Sequence, residues 1–358
     1  MAATVTTLTS NITAPVNFVL MKRLLSAARK KLPYFNGTLP GTLEKSQGSA
    51  SVKWRRIENL AVATTALSEV TGTAAAFLGR NAVQPVVTDI TVAIAKYGNL
   101  ILTTEEVDFF NVNSRSIELV DTMGANAGES LNVLMRNEFD NATTLRRAGG
   151  QTTDSSISAA IVLNDIKASV NLLNRESAMK FTSMATGSTN IGTTPIRDAY
   201  FGITHVDVEE DIRGLTGFNS VQTYGGYTET YPFEFGEVGG VRWFSTEIAP
   251  ITSDGSTLVS QNGLHGSSAL LHDVYKTFIY GKEAIGSVGL GNMHATTAAE
   301  MYDPKKPPAV ELITHKAGSS GIYDAFNEMG SLAWKSWFAA KILNIVWIVE
   351  VRTGASTF

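Results

Sequence analysis

Residues 52–95 contain the feature that most limits how this chain can fold. Val52, Trp54 and Arg56 alternate with Lys53, Arg55 and Ile57, and Ile90, Val92 and Ile94 alternate with Thr91, Ala93 and Ala95. Both runs have the two-residue period of a strand. Between them, residues 61–82 are mostly Ala, Thr and Gly and offer almost nothing to bury. The pattern predicts a long two-stranded hairpin with a small-residue tip. Such a hairpin is marginal by itself in water. It must lie on something, and its own sequence provides no core, which points to obligatory assembly.

The charge distribution points the same way. Residues 1–56 hold nine basic side chains against Glu44 alone, a net of +8, which leaves 20 basic and 32 acidic groups, or −12, on the other 302. A basic end on an acidic body can meet nucleic acid, an anionic membrane or the acidic body of another copy. Only 17% of the 358 residues are charged, below the ~25% of an average soluble protein, while 44% are hydrophobic. That excludes a disordered polyelectrolyte and leaves enough apolar material for two or three domains. It also suggests that much of the surface meets protein instead of water. With no cysteine, disulfides, thiolate nucleophiles and cysteine metal sites are excluded.

Residues 1–14 are a polar tail without the basic-then-apolar pattern of a signal peptide. The strongest apolar run, Ile345 to Val349, is far short of the ~20 residues a bilayer needs. The chain reads as soluble and non-secreted. From Pro15, the residues Phe18, Met21, Leu25, Ala28 and Leu32 recur at helical steps, with Lys22, Arg29 and Lys30 off the stripe and Pro33 as the stop. This basic amphipathic helix is expected to pack on protein, since it is short and lacks the tryptophan of a membrane-surface anchor. Residues 34–51 read as a Gly/Pro/Ser connector.

The strongest helix candidate is 116–147, with Ile117, Val120, Ala127, Leu131, Leu134 and Leu145 on one face and Gly124 where something can approach closely. Its ~32 residues would span ~48 Å at 1.5 Å each, and Gly149-Gly150 stops it. A further helix is expected at about 163–181, with Asn164 or Asp165 as N-cap and Ile166, Val170, Leu173 and Met179 on its stripe. From 195 onward short strands alternate with Gly-rich turns: Tyr200–His205, Val241–Thr246, Val274–Tyr280, Glu311–Thr314, Leu332–Ala340 and Ile345–Arg352. Helix is expected near Val206–Thr216 and Tyr323–Asn327. Strands and helices mixed irregularly indicate an α+β fold.

One constellation has the chemistry of an enzyme. His205, Asp207, Glu209, Glu210 and Asp211 alternate in the manner of ligands to a divalent metal. No second histidine lies near in sequence, and carboxylates also favour a helix N-terminus, so a solvated acidic turn is the simpler reading and a metal hydrolase the other. Gly286 to Gly291 lacks the spacing of a nucleotide loop and reads as a turn. Lys305-Lys306-Pro307-Pro308 reads as a loop that leads into a strand. A sequence pI of about 5.8 is far below the value above ~9 that marks a nucleic-acid-binding domain. No cofactor or metal is expected.

Several strings in order carry a family resemblance: Val52-Lys53-Trp54-Arg55-Arg56 with Thr65-Ala66-Leu67-Ser68-Glu69, then Lys96-Tyr97-Gly98-Asn99, then Ile196 through Arg213. Glu237-Val238-Gly239-Gly240-Val241-Arg242-Trp243 follows, and then Ala333-Trp334-Lys335-Ser336-Trp337-Phe338-Ala339-Ala340-Lys341-Ile342-Leu343. From about 16 to 352 the chain resembles the major capsid proteins of tailed phages of the N-four-like group, which have the Hong Kong 97-type shell fold. It departs from them at Val70, where the family has glycine after the Leu-Ser-Glu string.

The resemblance implies an N-terminal arm (1–46), an extended E-loop (47–96), and a peripheral domain with a spine helix (97–155) to which 305–341 returns. It also implies an axial domain (156–304) that the C-terminal strand (342–358) rejoins. The implied function is a major capsid protein of a tailed double-stranded-DNA phage, a non-enzymatic subunit of hexamers and pentamers in an icosahedral virion shell, assembled in the host bacterial cytoplasm. An encapsulin-like nanocompartment is the alternative. Implied partners are further copies, a separate scaffolding protein (the arm helix leaves no room for a fused one), a portal protein at one vertex, a decoration or cement protein, and packaged DNA in weak, non-specific contact, with no membrane. Lys22, Arg23, Arg29, Lys30 and Lys31, with Lys53, Trp54, Arg55 and Arg56, are the expected inter-subunit contacts, the cations pairing with carboxylates of adjacent copies.

Overall fold

Phe139 is where three distant stretches of chain meet. Its ring lies 5.3 Å from Tyr34, 5.6 Å from Phe278 and 5.0 Å from Tyr280, centroid to centroid. All four side chains are fully buried. The computed structural model describes residues 23–28, 31–42, 51–64, 83–106, 115–181, 198–223, 231–256, 264–266, 271–289, 310–315, 326 and 328–358. Residues 23–28 are helical (α1), and Pro33–Phe35 form a 3-10 turn. Tyr34 and Phe35 in that turn are core residues, so the connector expected from 34 onward starts inside the core.

The long helix α2 is Arg115–Phe139, roughly 37 Å at 1.5 Å per residue. Val120, Met123, Ala127, Leu131, Met135 and Phe139 recur at three- and four-residue steps and are buried. The expected face was right, but the expected end overran by eight residues. A turn at Asp140–Ala142 closes the helix, and two β-branched residues, Thr143 and Thr144, disfavour its continuation. Leu145–Arg147 then form a strand. Gly149 and Gly150 follow at φ of 65° and 74°, a region open to glycine at little cost.

Gly124 and Gly128 let α1 lie directly on α2. A Cβ at Gly124 would fall 2.6 Å from the Leu24 carbonyl oxygen, and one at Gly128 would press on the Ala28 carbonyl. Leu24, Leu25 and Ala28 are completely buried as a result. The close approach expected at Gly124 is therefore real. Phe18, Met21, Lys22, Arg29 and Lys30 lie outside the described residues.

Helix α3 is Leu163–Arg175 and α4 is Val206–Arg213. The N-cap of α3 is Val162, with no side-chain cap, not Asn164 or Asp165. Asp165 is instead buried, with Arg146 at 3.6 Å. The helix ends early because Ser177 enters the left-handed region at φ 53° and the Ala178 amide bonds back to the Leu173 carbonyl at 2.9 Å, a Schellman closure. Met179 lies beyond it.

The strands are β1 (Leu39–Thr42), β2 (Ser51–Ile57), β3 (Val87–Ala93), β4 (Ala95–Thr104), β5 (Leu145–Arg147), β6 (Tyr200–His205), β7 (Asn219–Ser220) and β8 (Glu234–Val238). There follow β9 (Val241–Thr246), β10 (Ile251–Ser256), β11 (His272–Tyr280), β12 (Ile285–Gly289), β13 (Glu311–His315), β14 (Met329–Ile342) and β15 (Ile348–Thr353). They form three sheets. The first has β14 at its centre: β12 and β13 pair in series along one edge of β14, β4 runs along the other, and β1 adds in parallel outside β12. Leu332, Trp334, Ser336 and Phe338 alternate into the interior, where the Trp334 indole donates to Asn126 of α2 at 3.0 Å.

The second sheet runs β5-β15-β11-β6-β9-β8-β7, with β10 also on β11. It is covered on both faces. Phe201, Ile203, Phe244, Phe278 and Ile348 pack toward α2 and Tyr34, while Tyr200, Trp243, Ile279, Val349 and Val351 pack toward α3 and α4. That explains why β6, β9, β11 and β15 read as near-continuous apolar runs. The mixture of sheets and helices bears out the α+β reading.

β6 and β9 coincide with their expected ranges; β11, β13 and β14 are longer, and β15 is preceded by a 3-10 turn at Ile345–Trp347. β1 and β12 are corrections. Leu39–Thr42 lies in the expected connector, and Gly286 to Gly289 in the expected turn, yet the two segments pair in parallel. Pro40, Gly41, Gly286 and Gly289 hide the strand period, and only the distant partner reveals it. Lys305–Pro308 and nearly all of 323–327 lie outside the described residues.

The α1–α2 seam gives a test. Gly128→Val should displace α1 and destabilise the fold by ~1–3 kcal/mol, with a lower denaturation midpoint and faster tryptic cleavage after Arg23. An unchanged midpoint would remove the seam from the account.

Candidate assembly surface

The third sheet is the β2–β3 hairpin, paired antiparallel from Ser51↔Ala93 to Ile57↔Val87. Its two faces differ as the alternation requires. Val52, Trp54 and Arg56 are half-buried with Thr88, Ile90 and Val92, whereas Lys53, Arg55 and Ile57 are exposed with Val87, Asp89 and Thr91.

The inner face is moored to its own chain. The Trp54 ring rests on the β1–β12 pair, where a Cβ on Gly286 would come within 2.9 Å of it and one on Gly41 within 3.2 Å. Arg56 donates from Nη1 to the Leu343 carbonyl at 2.8 Å and from Nε and Nη2 to Glu58 Oε1 at 2.9 and 2.6 Å. Thr88 donates its hydroxyl to the same carboxylate oxygen at 3.0 Å. These bonds, Arg56 first, hold the Glu58 carboxyl below its ordinary range. The hairpin thus rests on a ledge of its own chain, which its local sequence did not reveal. Its outer side stays uncovered. Ile57 is 65% exposed and Val62 85%, with Leu60, Val83 and Val86 also open to solvent. Several large apolar side chains exposed at one end of a hairpin point to an interaction site.

The expected inter-subunit cations are paired within the chain wherever they are described. Lys53 Nζ lies 2.9 Å from Asp89 Oδ2, and Arg55 Nε 3.0 Å from Asp89 Oδ1. One carboxylate thus faces two cations, and the hydrogen bond from Arg55, then that from Lys53, pushes its pKa down to about 2. Arg23 makes a two-pronged bond to Asp121 at 2.6 and 2.7 Å. Lys31 sits 3.4 Å from Glu129 and 3.7 Å from Glu247. Arg23 and Lys31 are eight residues apart, as are Asp121 and Glu129, so the two pairs bracket the glycine seam. Exposed pairs of this sort contribute ~0–1 kcal/mol each. Sequence reasoning missed Asp89, Glu58, Gly41 and Gly286. Asp89 alone had a signal: it directly precedes the expected strand at Ile90, and in the structure it stands opposite Arg55.

The enzyme-like stretch is structural. His205 caps α4, its Nδ1 accepting the Asp207 amide at 3.1 Å while its Nε2–H donates to the Glu247 carbonyl at 3.1 Å. Asp207 accepts the Tyr275 hydroxyl at 2.7 Å, Glu209 accepts from Arg213, and Asp211 accepts the Ser356 amide at 2.9 Å. Among the described residues no three His, Cys, Asp or Glu side chains are grouped to hold a metal, and no helix is long and apolar enough to cross a membrane.

No protein-family model matches the chain, and no curated protein matches it. Solved structures do. The capsid of Ralstonia phage GP4 is similar at a TM-score of 0.59 and 10% identity, over 91% of this chain and 92% of that one. The head structure of Helicobacter pylori bacteriophage KHP40 gives 0.56 and 11% over 91% of both chains. The capsid of cyanophage Pam1 gives 0.53 and 13% over 92% of this chain and 93% of that one. The chain shares its α+β fold, nearly end to end, with these phage capsid structures.

Asp89 offers a readout of the hairpin's outer face. Its folded pKa lies below the ordinary 3.8, so its pairing with Lys53 and Arg55 is complete above that value and is lost as pH falls through about 2. A carbon-13 carboxyl titration should show Asp89 charged down to that range, and Arg55→Ala should return it toward 3.8. Titration at the ordinary value in the unsubstituted chain would dismiss the shared-carboxylate geometry.

Proposed function

We propose that this chain is the major capsid protein of a tailed double-stranded-DNA phage of the N-four-like group, with the Hong Kong 97-type fold, and that it builds an icosahedral shell from hexamers and pentamers. The observation that carries the reading is a match to phage capsid chains over about nine-tenths of both partners, in a chain whose hairpin leaves Ile57, Leu60, Val62, Val83, Val86 and Val87 exposed toward its far end. On this reading 1–46 is the arm, 47–96 the E-loop, and 97–155 with 305–341 the peripheral domain, with α2 as its spine. Residues 156–304 form the axial domain, which 342–358 rejoins; β15 lies between β5 and β11 in the larger sheet, in keeping with that return.

The role is structural. The ledge under Trp54 and Arg56 sets where the hairpin points, and its outer side supplies the contact to the next copy. Ile57, Leu60, Val62, Val83, Val86 and Val87 contribute apolar burial at ~25 cal/mol per Å². Lys53 and Arg55, with Asp89 between them, leave one net positive charge to meet an acidic body and set register. Because Arg23 and Lys31 are already paired with α2, their contact with a neighbour requires sharing or exchanging those carboxylates. A scaffolding protein during assembly, a portal at one vertex, a decoration protein outside and loose contact with packaged DNA complete the set of proposed partners. The site of action is the virion shell, assembled in the host cytoplasm.

Electron microscopy of the purified chain, with and without a scaffolding protein, should show closed icosahedral particles. Lys53→Glu with Arg55→Glu leaves the Arg56 mooring intact and should abolish those particles while the subunit's thermal midpoint changes little. Normal shells from that variant would refute the hairpin's role. Particles filled with protein in place of DNA would point to a nanocompartment.

A further inference from the structure

We infer that Asp254 and Gly255 form a self-modification site, at which the chain rearranges through a succinimide to isoaspartate. They are the sole Asp-Gly pair in the sequence. Glycine has no Cβ, so nothing shields its amide nitrogen from the aspartate carboxyl beside it. The pair lies half-buried in β10, where that strand departs from its ladder. Thr252 opposes Val274 and Ser256 opposes His272, so Ser253, Asp254 and Gly255 together face Asp273 alone. Asp254 stands at φ 51°, left-handed backbone that is unfavourable for a residue with a side chain. Its amide donates to Asp273 Oδ1 at 2.8 Å, and the Asp273 amide donates in turn to the His265 carbonyl at 2.8 Å.

The Gly255 nitrogen bonds to Cγ of the protonated Asp254 carboxyl, and the amide proton leaves with the carboxyl hydroxyl as water. Water then opens the ring. Attack at the former main-chain carbonyl leaves the chain running through Cβ and Cγ and frees an α-carboxylate. One water is lost and one regained, so the mass is unchanged and no oxidant or cofactor enters. The structure favours this product in two ways. The new linkage releases the left-handed φ, and the added methylene falls in a stretch that already holds more residues than the strand it faces. The flanking pairs can therefore stay, with the buried Ser256 hydroxyl donating to the Ile157 carbonyl. Asp154-Ser155, the sole Asp-Ser pair, supplies the contrast. Asp154 accepts Arg147 at 2.6 Å and also Arg352. Burial pushes its carboxyl up, but those two arginines outweigh burial and hold it below the ordinary range, away from the protonated form that reacts. The rearrangement needs no partner, so it stands or falls separately from the shell reading.

The full-length chain is aged in mildly acidic buffer, folded and in urea, and then digested with an endoprotease that cuts before aspartate but not before isoaspartate. Isoaspartyl methyltransferase labels the product in parallel. Folding should slow the loss of the cut before Asp154 many-fold, yet leave the loss before Asp254 within a few-fold of its rate in urea. The peptide mass should not change. Asn36-Gly37 and Asn262-Gly263 also yield isoaspartate, but they do so by losing ammonia, which raises the mass, and alkaline buffer favours them. Asp254→Glu, whose longer side chain closes a ring far more slowly, should remove the mass-neutral label. If folding slowed Asp254 as much as Asp154, the bulge would be protecting the bond and the inference would be overturned. A mass-neutral label that survived Asp254→Glu would overturn it equally, by placing the reaction elsewhere.

Discussion

Everything else in the molecule is arranged around the aromatic junction at Phe139. Tyr34 brings the N-terminal segment to it, α2 ends on it, and Phe278 and Tyr280 bring the larger sheet. Edge-to-face and tilted aromatic contacts of this kind add ~0.5–1.5 kcal/mol each beyond the area they bury. Because all the rings are fully buried, the packing leaves little freedom for the helix to move against the sheet without opening the core. The exposed apolar side chains of the hairpin and of β4 (Leu100 and Leu102) lie outside that buried centre.

What could be read from the sequence follows a physical division. The faces of the hairpin, the strand Tyr200–His205 and the close approach at Gly124 were legible, since the signal for each, an alternation or a glycine on an apolar stripe, is carried by neighbours two to four residues away. The end of α2 was not. Leu145 continues the helical stripe, but the 145–147 stretch gains a strand partner in 350–352 and ion pairs from Arg146 to Asp165 and from Arg147 to Asp154. β1 and β12 were hidden for the same reason: a Pro/Gly-containing segment becomes a strand only when a partner some 245 residues away is beside it. Asp165 had the look of a cap because capping is local, whereas its burial beside Arg146 is not.

For the candidate surface, the residues were legible and their partners were not. The basic first 56 residues were expected to reach other copies. Within the chain, α2 carries Asp121 and Glu129 at the spacing of Arg23 and Lys31, and β3 carries Asp89 opposite Arg55. Among the described residues, every cation of the first 56 is therefore paired inside its own chain. Beyond those pairs the described hairpin still exposes apolar side chains, Val62 and Ile57 foremost.

One consequence lies in the way the hairpin joins the body. β3 passes into β4 with only Ile94 between them, and β4 is laddered to β14 from Ala95↔Phe338 to Thr104↔Met329. A pull on the hairpin tip therefore travels along continuous backbone and loads that ladder lengthwise. A ladder pulled along its strands yields only when its bonds give way together, whereas one pulled crosswise opens one rung at a time. The chain thus meets tension from outside in its stiffer direction, and pressure from within a closed container would reach each member as tension of this kind.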